Sequence, residues 1–271
     1  MPDRTLDFFP ISCLHSPPDA SRRTPIPRFF RRPASRIPPE ILPPDFLTRH
    51  GLARRLYLEP LTGLTPAHPW APLTDAEWEA LAPHLAATGC GLRAAGRAGR
   101  PLADPRARLD AIFRAVTLKR SNCEGGGRAP WRALPEGFGK AGTVSRCHRR
   151  WAHAGLWGRL LQAVAAADCP AALAALTWRI CCAFRRAVRV LGLAAIVLAR
   201  RLRLHSALPA PSQYLPDPEL AEITMPVCLR AARYMLAHPR WRPPRGLLRL
   251  LQDFHRFAGG LVRVPGALEP P

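Results

Sequence analysis

Residues 142–153 read GTVSRCHRRWAH. The type of secondary structure that this stretch predicts sets the fold class that we expect for the segments around it. Val144, Cys147 and Trp151 recur at the spacing of one helical face, whereas the serine and most of the arginines fall on the opposite face. Gly155, just beyond the stretch, is a typical residue after a helix end. The pattern therefore predicts an amphipathic helix over 143–153 with an apolar inner face and an arginine-rich outer face.

Further apolar stripes at helical spacing lie on both sides of this helix. The stripe of residues 156–167 follows it, and the stripe of residues 109–116 precedes it, after Asp104 and Pro105 as cap and first helical residue. A capping box, TDAE at 74–77, opens an earlier helix that Pro83 is expected to bend or end. Because no segment alternates like a strand, we predict an all-α fold, with a small helix-turn-helix-like bundle over 73–168.

Five ordered blocks within this region carry a resemblance. They are LTDAEW at 73–78, GRP at 99–101, LDAI at 109–112, PWRALP at 130–135, and 143–151 with two arginines before its tryptophan. Together they resemble the N-terminal helical domain of bacterial insertion-sequence transposases, of the insertion-sequence-five type. The resemblance covers residues 73–168.

The resemblance implies a DNA-binding function. In that family the domain is a helix-turn-helix-like module that recognises the terminal repeats of the element and precedes a catalytic domain of ribonuclease-H type. By position, residues 131–138 would be the supporting helix and residues 143–153 the recognition helix. The implied partner is double-stranded DNA at the ends of an insertion element.

Charge favours the same partner. The 271 residues include 40 Lys plus Arg and 19 Asp plus Glu, a formal net charge of +21, which attracts polyanions. On the predicted recognition helix, its N-terminal residues would meet base edges and the remaining cations would neutralise phosphates. The candidate DNA contacts are Lys140, Thr143, Ser145, Arg146, Arg149, Arg150, His153, Arg128 and Arg132. The alternative is a solvated face in an arginine-rich protein.

The segments on either side differ in composition. Residues 1–72 hold 15 of the 32 prolines, which interrupt helices and sheets, so a disordered Pro/Arg-rich segment is predicted, with one helical turn near 46–58. Alternatively, this segment is translated from a misplaced start. Residues 169–271 are predicted to be a helical extension of unknown role, with helices over 170–204, 219–238 and 245–258.

Catalysis is not expected from the C-terminal extension. Transposases of the resembled kind use three carboxylates on a mixed sheet to hold two metal ions. After residue 167 the acids are Asp168, Asp217, Glu219, Glu222, Asp253 and Glu269, and none stands within a strand-like run. The sequence favours a regulator or relic of an insertion element without catalytic residues, acting as a homodimer or with a separate catalytic subunit. The alternative is a structural or interaction protein whose basic amphipathic C-terminal helices bind a membrane surface or a partner.

Cysteine spacing and the chain start complete the prediction. The eight cysteines include no Cys-x-x-Cys pair, so neither a metal site nor a cofactor is expected. The two histidines of the predicted recognition helix, His148 and His153, lie five residues apart, which does not suit a shared metal ion. His148 is expected to pack or to touch phosphate. With no export signal, reduced thiols and a cytoplasmic, nucleoid-associated location in a bacterium are expected, and a membrane location is not.

Overall fold

Helices make up the regular structure of the protein. The computed structural model describes residues 36–52, 54–91, 102–119 and 128–260. Within these ranges no strand occurs, and β-type pairing is limited to one isolated antiparallel bridge between Lys119 and Arg128. The predicted all-α class is confirmed.

The helices fall at the apolar stripes of the sequence. In chain order they are α1 Phe46–Arg49, α2 Glu59–Thr62, α3 Asp75–Thr88, α4 Pro105–Thr117, α5 Ala141–His153, α6 Leu156–Ala165, α7 Ala171–Ala174, α8 Thr177–Leu191, α9 Leu193–Arg201, α10 Pro218–Ala237 and α11 Arg245–Gly259. A π-helical turn, Arg54–Leu58, leads into α2. The single helix expected over 170–204 is divided into α7, α8 and α9. The second break lies at Gly192, whose φ of 71° is in a region that favours glycine.

Helix α3 begins as its capping box predicts. The Thr74 hydroxyl accepts from the Glu77 amide, and the Glu77 carboxylate accepts from the Thr74 amide. Pro83 lies inside the helix, which continues to Thr88, so the expected early end at Pro83 is wrong. Leu81 and Leu85, on either side of Pro83, are fully buried, and this packing stabilises the helix beyond the proline.

Helix α8 is central to the larger hydrophobic core. Helices α4, α5 and α6 all pack against it. Phe113 of α4, Trp157 of α6 and Phe184 of α8 are fully buried in this core. Burial of three aromatic side chains is a large apolar contribution to folding.

A second core joins residues far apart in sequence. Ile41, Phe46 and Leu52 are buried together with apolar residues of α10 and α11, including Val227 and Phe254. The order of residues 36–72 differs from the disorder predicted over 1–72, because these side chains have a C-terminal surface to pack on. Residues 1–35 lie outside the described part of the chain.

The cores do not follow the predicted division at residues 72 and 168. The larger one extends from Leu73 to Leu215, and the smaller one joins 41–52 to 220–254. The three-part division itself stays a prediction. In the described ranges, no helix has both the length and the apolar character needed to cross a membrane.

Candidate nucleic-acid interface

Helix α5 presents its polar residues on one side. At about 100° per residue, positions 142, 143, 146, 149, 150 and 153 fall within an arc of about 120°. All six are exposed. Val144, Cys147 and Trp151 point the opposite way and are buried. We call the exposed arc, together with Lys140 at the N-cap, the outer face of α5.

The outer face contains most of the candidate DNA contacts. Lys140, Thr143, Arg146, Arg149, Arg150 and His153 are exposed there. Ser145 lies at the edge of the arc and is half-buried. Arg132 is exposed and Arg128 half-buried, both before α5 in the chain. The helix therefore has the orientation that its pattern predicted, with its guanidinium groups toward solvent.

The inner face of α5 is held by an aromatic cluster. The His148 ring stacks on Trp157 with centroids 5.1 Å apart, and it lies 5.3 Å from the Trp131 ring. Trp157 donates from its Nε1 to the His148 carbonyl oxygen at 3.1 Å. The Trp151 ring packs on the Trp157 ring, with centroids 6.1 Å apart. These contacts fix the rotation of α5 about its axis, and with it the direction of the outer face.

His148 is a structural residue. Only 3% of it is exposed, and its Nε2 lies 3.0 Å from the Ala183 carbonyl oxygen on α8. Since a carbonyl oxygen only accepts, Nε2 carries the proton of the neutral ring. Burial, together with the smaller effect of the charges of Arg186 and Arg149, lowers the His148 pKa to about 4, against the opposing effect of the Ala183 hydrogen bond. The packing role expected for His148 fits this position, and contact with phosphate does not.

Residues 131–138 form two 3₁₀ turns, Trp131–Ala133 and Glu136–Phe138, and not the supporting helix that the resemblance implied. Prolines at 130 and 135 and glycines at 137 and 139 leave too few residues for an α-helix. Arg186 of α8 holds the first turn in place. Its guanidinium lies 4.2 Å from the Trp131 ring centroid, and its Nη2 donates to the Ala129 carbonyl oxygen. Helices α4, α6 and α8 support α5 in place of the expected single helix.

The geometry adds one residue that the sequence pattern missed. Arg108 of α4 lies close enough to Cys147 for its charge to oppose the rise in thiol pKa that burial causes, as Arg150 also does. Arg108 of α4 and Arg150 of α5 therefore both lie near the Cys147 thiol. Arg108 directly precedes the apolar residue Leu109, and nothing in the local sequence signals this proximity.

Comparison with known proteins agrees with the sequence blocks. Residues 73–161 match the family model described as "Putative transposase of IS4/5 family (DUF4096)". This segment is transposase-related. No curated protein and no solved structure matches the chain.

The transposase-related segment contains α3, α4 and α5, and it ends within α6 and before α8. The Ala183 carbonyl that receives the His148 hydrogen bond therefore lies outside it, as does Arg186. The outer face of α5 belongs to the transposase-related segment, whereas part of its support comes from the C-terminal residues.

Two carboxylates at the start of α10 make structural contacts. Asp217 caps α10 by accepting from the Leu220 amide, and it accepts from Arg55 Nη2 at 2.7 Å. Glu219 accepts from Arg55 at 3.2 Å and pairs with Arg201. The two carboxylates thus join the first turn of α10 to the N-terminal segment.

The two adjacent cysteines of α8 are poor nucleophiles. Burial raises the pKa of Cys181 to about 12 and that of Cys182 to about 11. Cys90 and Cys147 are buried too, and burial raises the Cys147 pKa. Cys13 and Cys123 lie outside the described residues.

Proposed function

We propose that the protein binds double-stranded DNA through the outer face of α5 and that its target is the ends of an insertion element. The observation that carries this proposal is the exposed arc of α5, with Arg146, Arg149 and Arg150 in solvent over a rigid aromatic support. The major groove of B-DNA is wide enough to admit an α-helix. The relation of residues 73–161 to transposases supports the choice of DNA over other polyanions.

The roles along the helix follow from its geometry. Thr143 and Arg146 lie in the N-terminal half of α5, and the N-terminal residues of a recognition helix contact base edges. Lys140, Arg149 and Arg150 neutralise phosphates, with Arg128, Arg132 and His153 at the borders of the contact. Ser145, at the edge of the arc, contributes less.

We further propose that the residues after the transposase-related segment support binding and do not carry out strand transfer. Two of their acids, Asp217 and Glu219, take part in ion pairs with arginines. The protein then acts as a regulator of an element, or with a catalytic subunit supplied separately.

A charge reversal on α5 tests DNA binding directly. The full chain and its Arg146→Glu, Arg149→Glu variant are titrated with a short duplex of mixed sequence at several salt concentrations. The three phosphate-neutralising cations of the outer face predict a slope of about −2.7 for log K against log salt, and the loss of Arg149 reduces its magnitude by about 0.9 before any repulsion. The reversed charges should abolish measurable binding at physiological salt.

A matched control separates this face from the general positive charge of the protein. Arg249→Glu, Arg256→Glu makes the same charge change at two exposed arginines of α11. We expect this control to retain most of the affinity. If both variants lose binding equally, or if the α5 variant keeps the affinity and the salt slope, the proposed interface is wrong.

A second candidate function rests on exposed apolar residues of α10. Leu236 is 81% exposed, and Met225 and Leu229 are each 49% exposed, at spacings that place them on one side of the helix. With Arg233 nearby, this surface would bind an anionic lipid membrane. In contrast, the apolar residues Leu247 and Phe254 of α11 are buried in the second core.

Sedimentation of the full chain with phosphatidylserine vesicles tests the second candidate. Binding that Leu229→Ser, Leu236→Ser abolishes would support it, and an absence of sedimentation would exclude it. The α5 variant serves as the control, because its surface lies on a different helix.

A further inference from the structure

A positively charged cavity lies away from α5. It has a volume of about 450 Å³ and opens between the N-terminal turns and the segment from α9 to the start of α10. Its lining residues are Thr48, Arg49, His50, Gly51, Arg54, Arg55, Glu59, Arg200, Arg201, Arg203, His205 and Glu219. The volume lies within the range of small-molecule sites, about 300–1,000 Å³.

Arginines outnumber the carboxylates that pair with them. Six guanidinium groups line the cavity, and their ion pairs involve four carboxylates, those of Asp45, Glu59, Asp217 and Glu219. Glu59 is shared by Arg54 at 3.6 Å and Arg203 at 3.8 Å, both long for a direct ion pair. Two positive charges therefore remain in excess around the cavity, and its electrostatic field favours an anion.

His205 supplies a second, independent indication of a ligand. Only 6% of the residue is exposed, and neither ring nitrogen has a hydrogen-bond partner. Leaving both nitrogens of a buried imidazole unsatisfied is costly, and such groups are rare in folded proteins. An oxyanion in the cavity could accept a hydrogen bond from this ring. Burial and Arg200 lower the His205 pKa, against the opposing charge of Glu59, and a bound anion would raise it.

The backbone holds this histidine at the cavity wall. The His205 amide donates to the Gly63 carbonyl oxygen at 3.0 Å. A Cβ atom at Gly63 would lie 2.4 Å from His205 Cδ2 and 2.4 Å from the Arg203 carbonyl oxygen. Only glycine at position 63 allows the ring and the turn after α2 to approach this closely.

We propose that this cavity binds a phosphate-type oxyanion of a small molecule, such as pyrophosphate or a compact phosphate ester. Planar guanidinium groups bind such oxygens with paired hydrogen bonds. Arg54 and Arg203 turn from their long contacts with Glu59 to the ligand, and His205 donates to one of its oxygens. The bound anion links the N-terminal turns to the segment 200–219.

Calorimetric titration of the full chain with inorganic pyrophosphate tests the proposal. Arg54→Ala, Arg203→Ala removes the two excess charges, and both side chains are 62% exposed, so the fold should tolerate the change. We expect the variant to lose affinity by at least about tenfold, as for charge-assisted hydrogen bonds. The matched control, Arg233→Ala, Arg256→Ala, removes two exposed arginines outside the lining and should bind as the unchanged chain does.

A spectroscopic measurement assigns the binding to His205. Pyrophosphate should raise the pKa of the His205 ring in NMR titration, and the His205→Gln variant should lack that signal. The Arg146→Glu, Arg149→Glu variant of α5 should still bind pyrophosphate, which makes this proposal independent of DNA binding through α5.

Three outcomes would overturn the proposal. The first is no heat of binding with millimolar pyrophosphate or inorganic phosphate. The second is equal affinity for the Arg54→Ala, Arg203→Ala variant and its control. The third is a loss of duplex DNA affinity in that variant without any pyrophosphate binding by the unchanged chain, which would assign the arginines to the DNA backbone.

Discussion

The burial of His148 should make the free energy of unfolding fall as the solution is acidified. The folded-state pKa is about 4, below the ordinary value of 6.5 for an exposed histidine. Between these two pH values the unfolded chain binds a proton that the folded chain does not bind. Stability from this group is therefore complete above pH 6.5 and is lost progressively as the pH falls toward 4, below which the loss levels off.

The size of the effect follows from the two pKa values. A difference of one pKa unit corresponds to about 1.4 kcal/mol, so the full loss is about 3 kcal/mol. This is a large fraction of the free energy of unfolding of a typical protein, which is about 5–15 kcal/mol. The charges of Arg186 and Arg149 would also repel the protonated ring.

Urea-induced unfolding of the full chain, followed by tryptophan fluorescence at a series of pH values, measures the effect. His148→Gln is the control, because the glutamine amide can donate to the Ala183 carbonyl oxygen but does not titrate. Carboxylates and the other histidines titrate in both proteins, so their contributions cancel in the difference. We expect the difference between the two stabilities to shrink by about 3 kcal/mol from above pH 6.5 to pH 4.

Equal pH dependence in the two proteins would refute this reasoning. It would mean that the His148 ring is solvated or charged in the folded state. The aromatic support of α5 would then be loose, and the fixed direction of its outer face would lose its physical basis.

Three further substitutions test separate parts of the fold, each by its urea midpoint. Thr74→Ala removes the capping box of α3 and should cost about 1 kcal/mol, while Thr74→Ser should cost little; equal stability of the two would contradict the capping role. Arg186→Lys keeps the charge but loses the planar group stacked over Trp131, and we expect a cost of about 1–2 kcal/mol, with no change counting against the stacking. Gly63→Ala forces the ring of His205 or the neighbouring backbone to move and should cost about 1–3 kcal/mol, so a neutral effect would show that the close approach is absent.

Local patterns predicted the helices and the rotation of α5 well. The spacing of Val144, Cys147 and Trp151 is a property of twelve consecutive residues, so the sequence suffices to separate the inner from the outer face. The capping box at Thr74 is equally local. The extent of α3 beyond Pro83 could not be predicted, because it depends on tertiary burial.

Contacts between distant residues account for what the sequence did not predict. His148 meets Ala183 across 35 residues, and Arg55 meets Asp217 across 162. Arginines of α8 look solvent-facing in the sequence, yet Arg185 is buried and donates to the Ser206 carbonyl oxygen at 2.6 Å from Nη2. A buried arginine of this kind is recognised only when its carbonyl partner is known.

The position of α8 has a consequence for any attempt to isolate the transposase-related segment. A fragment cut at residue 161 would keep every exposed arginine of α5 but lose α8, against which α4, α5 and α6 pack. Such a fragment should aggregate or unfold, so a failure of the fragment to bind DNA would not test the outer face of α5. The segment that matches the family model thus ends before the segment that is needed for independent folding.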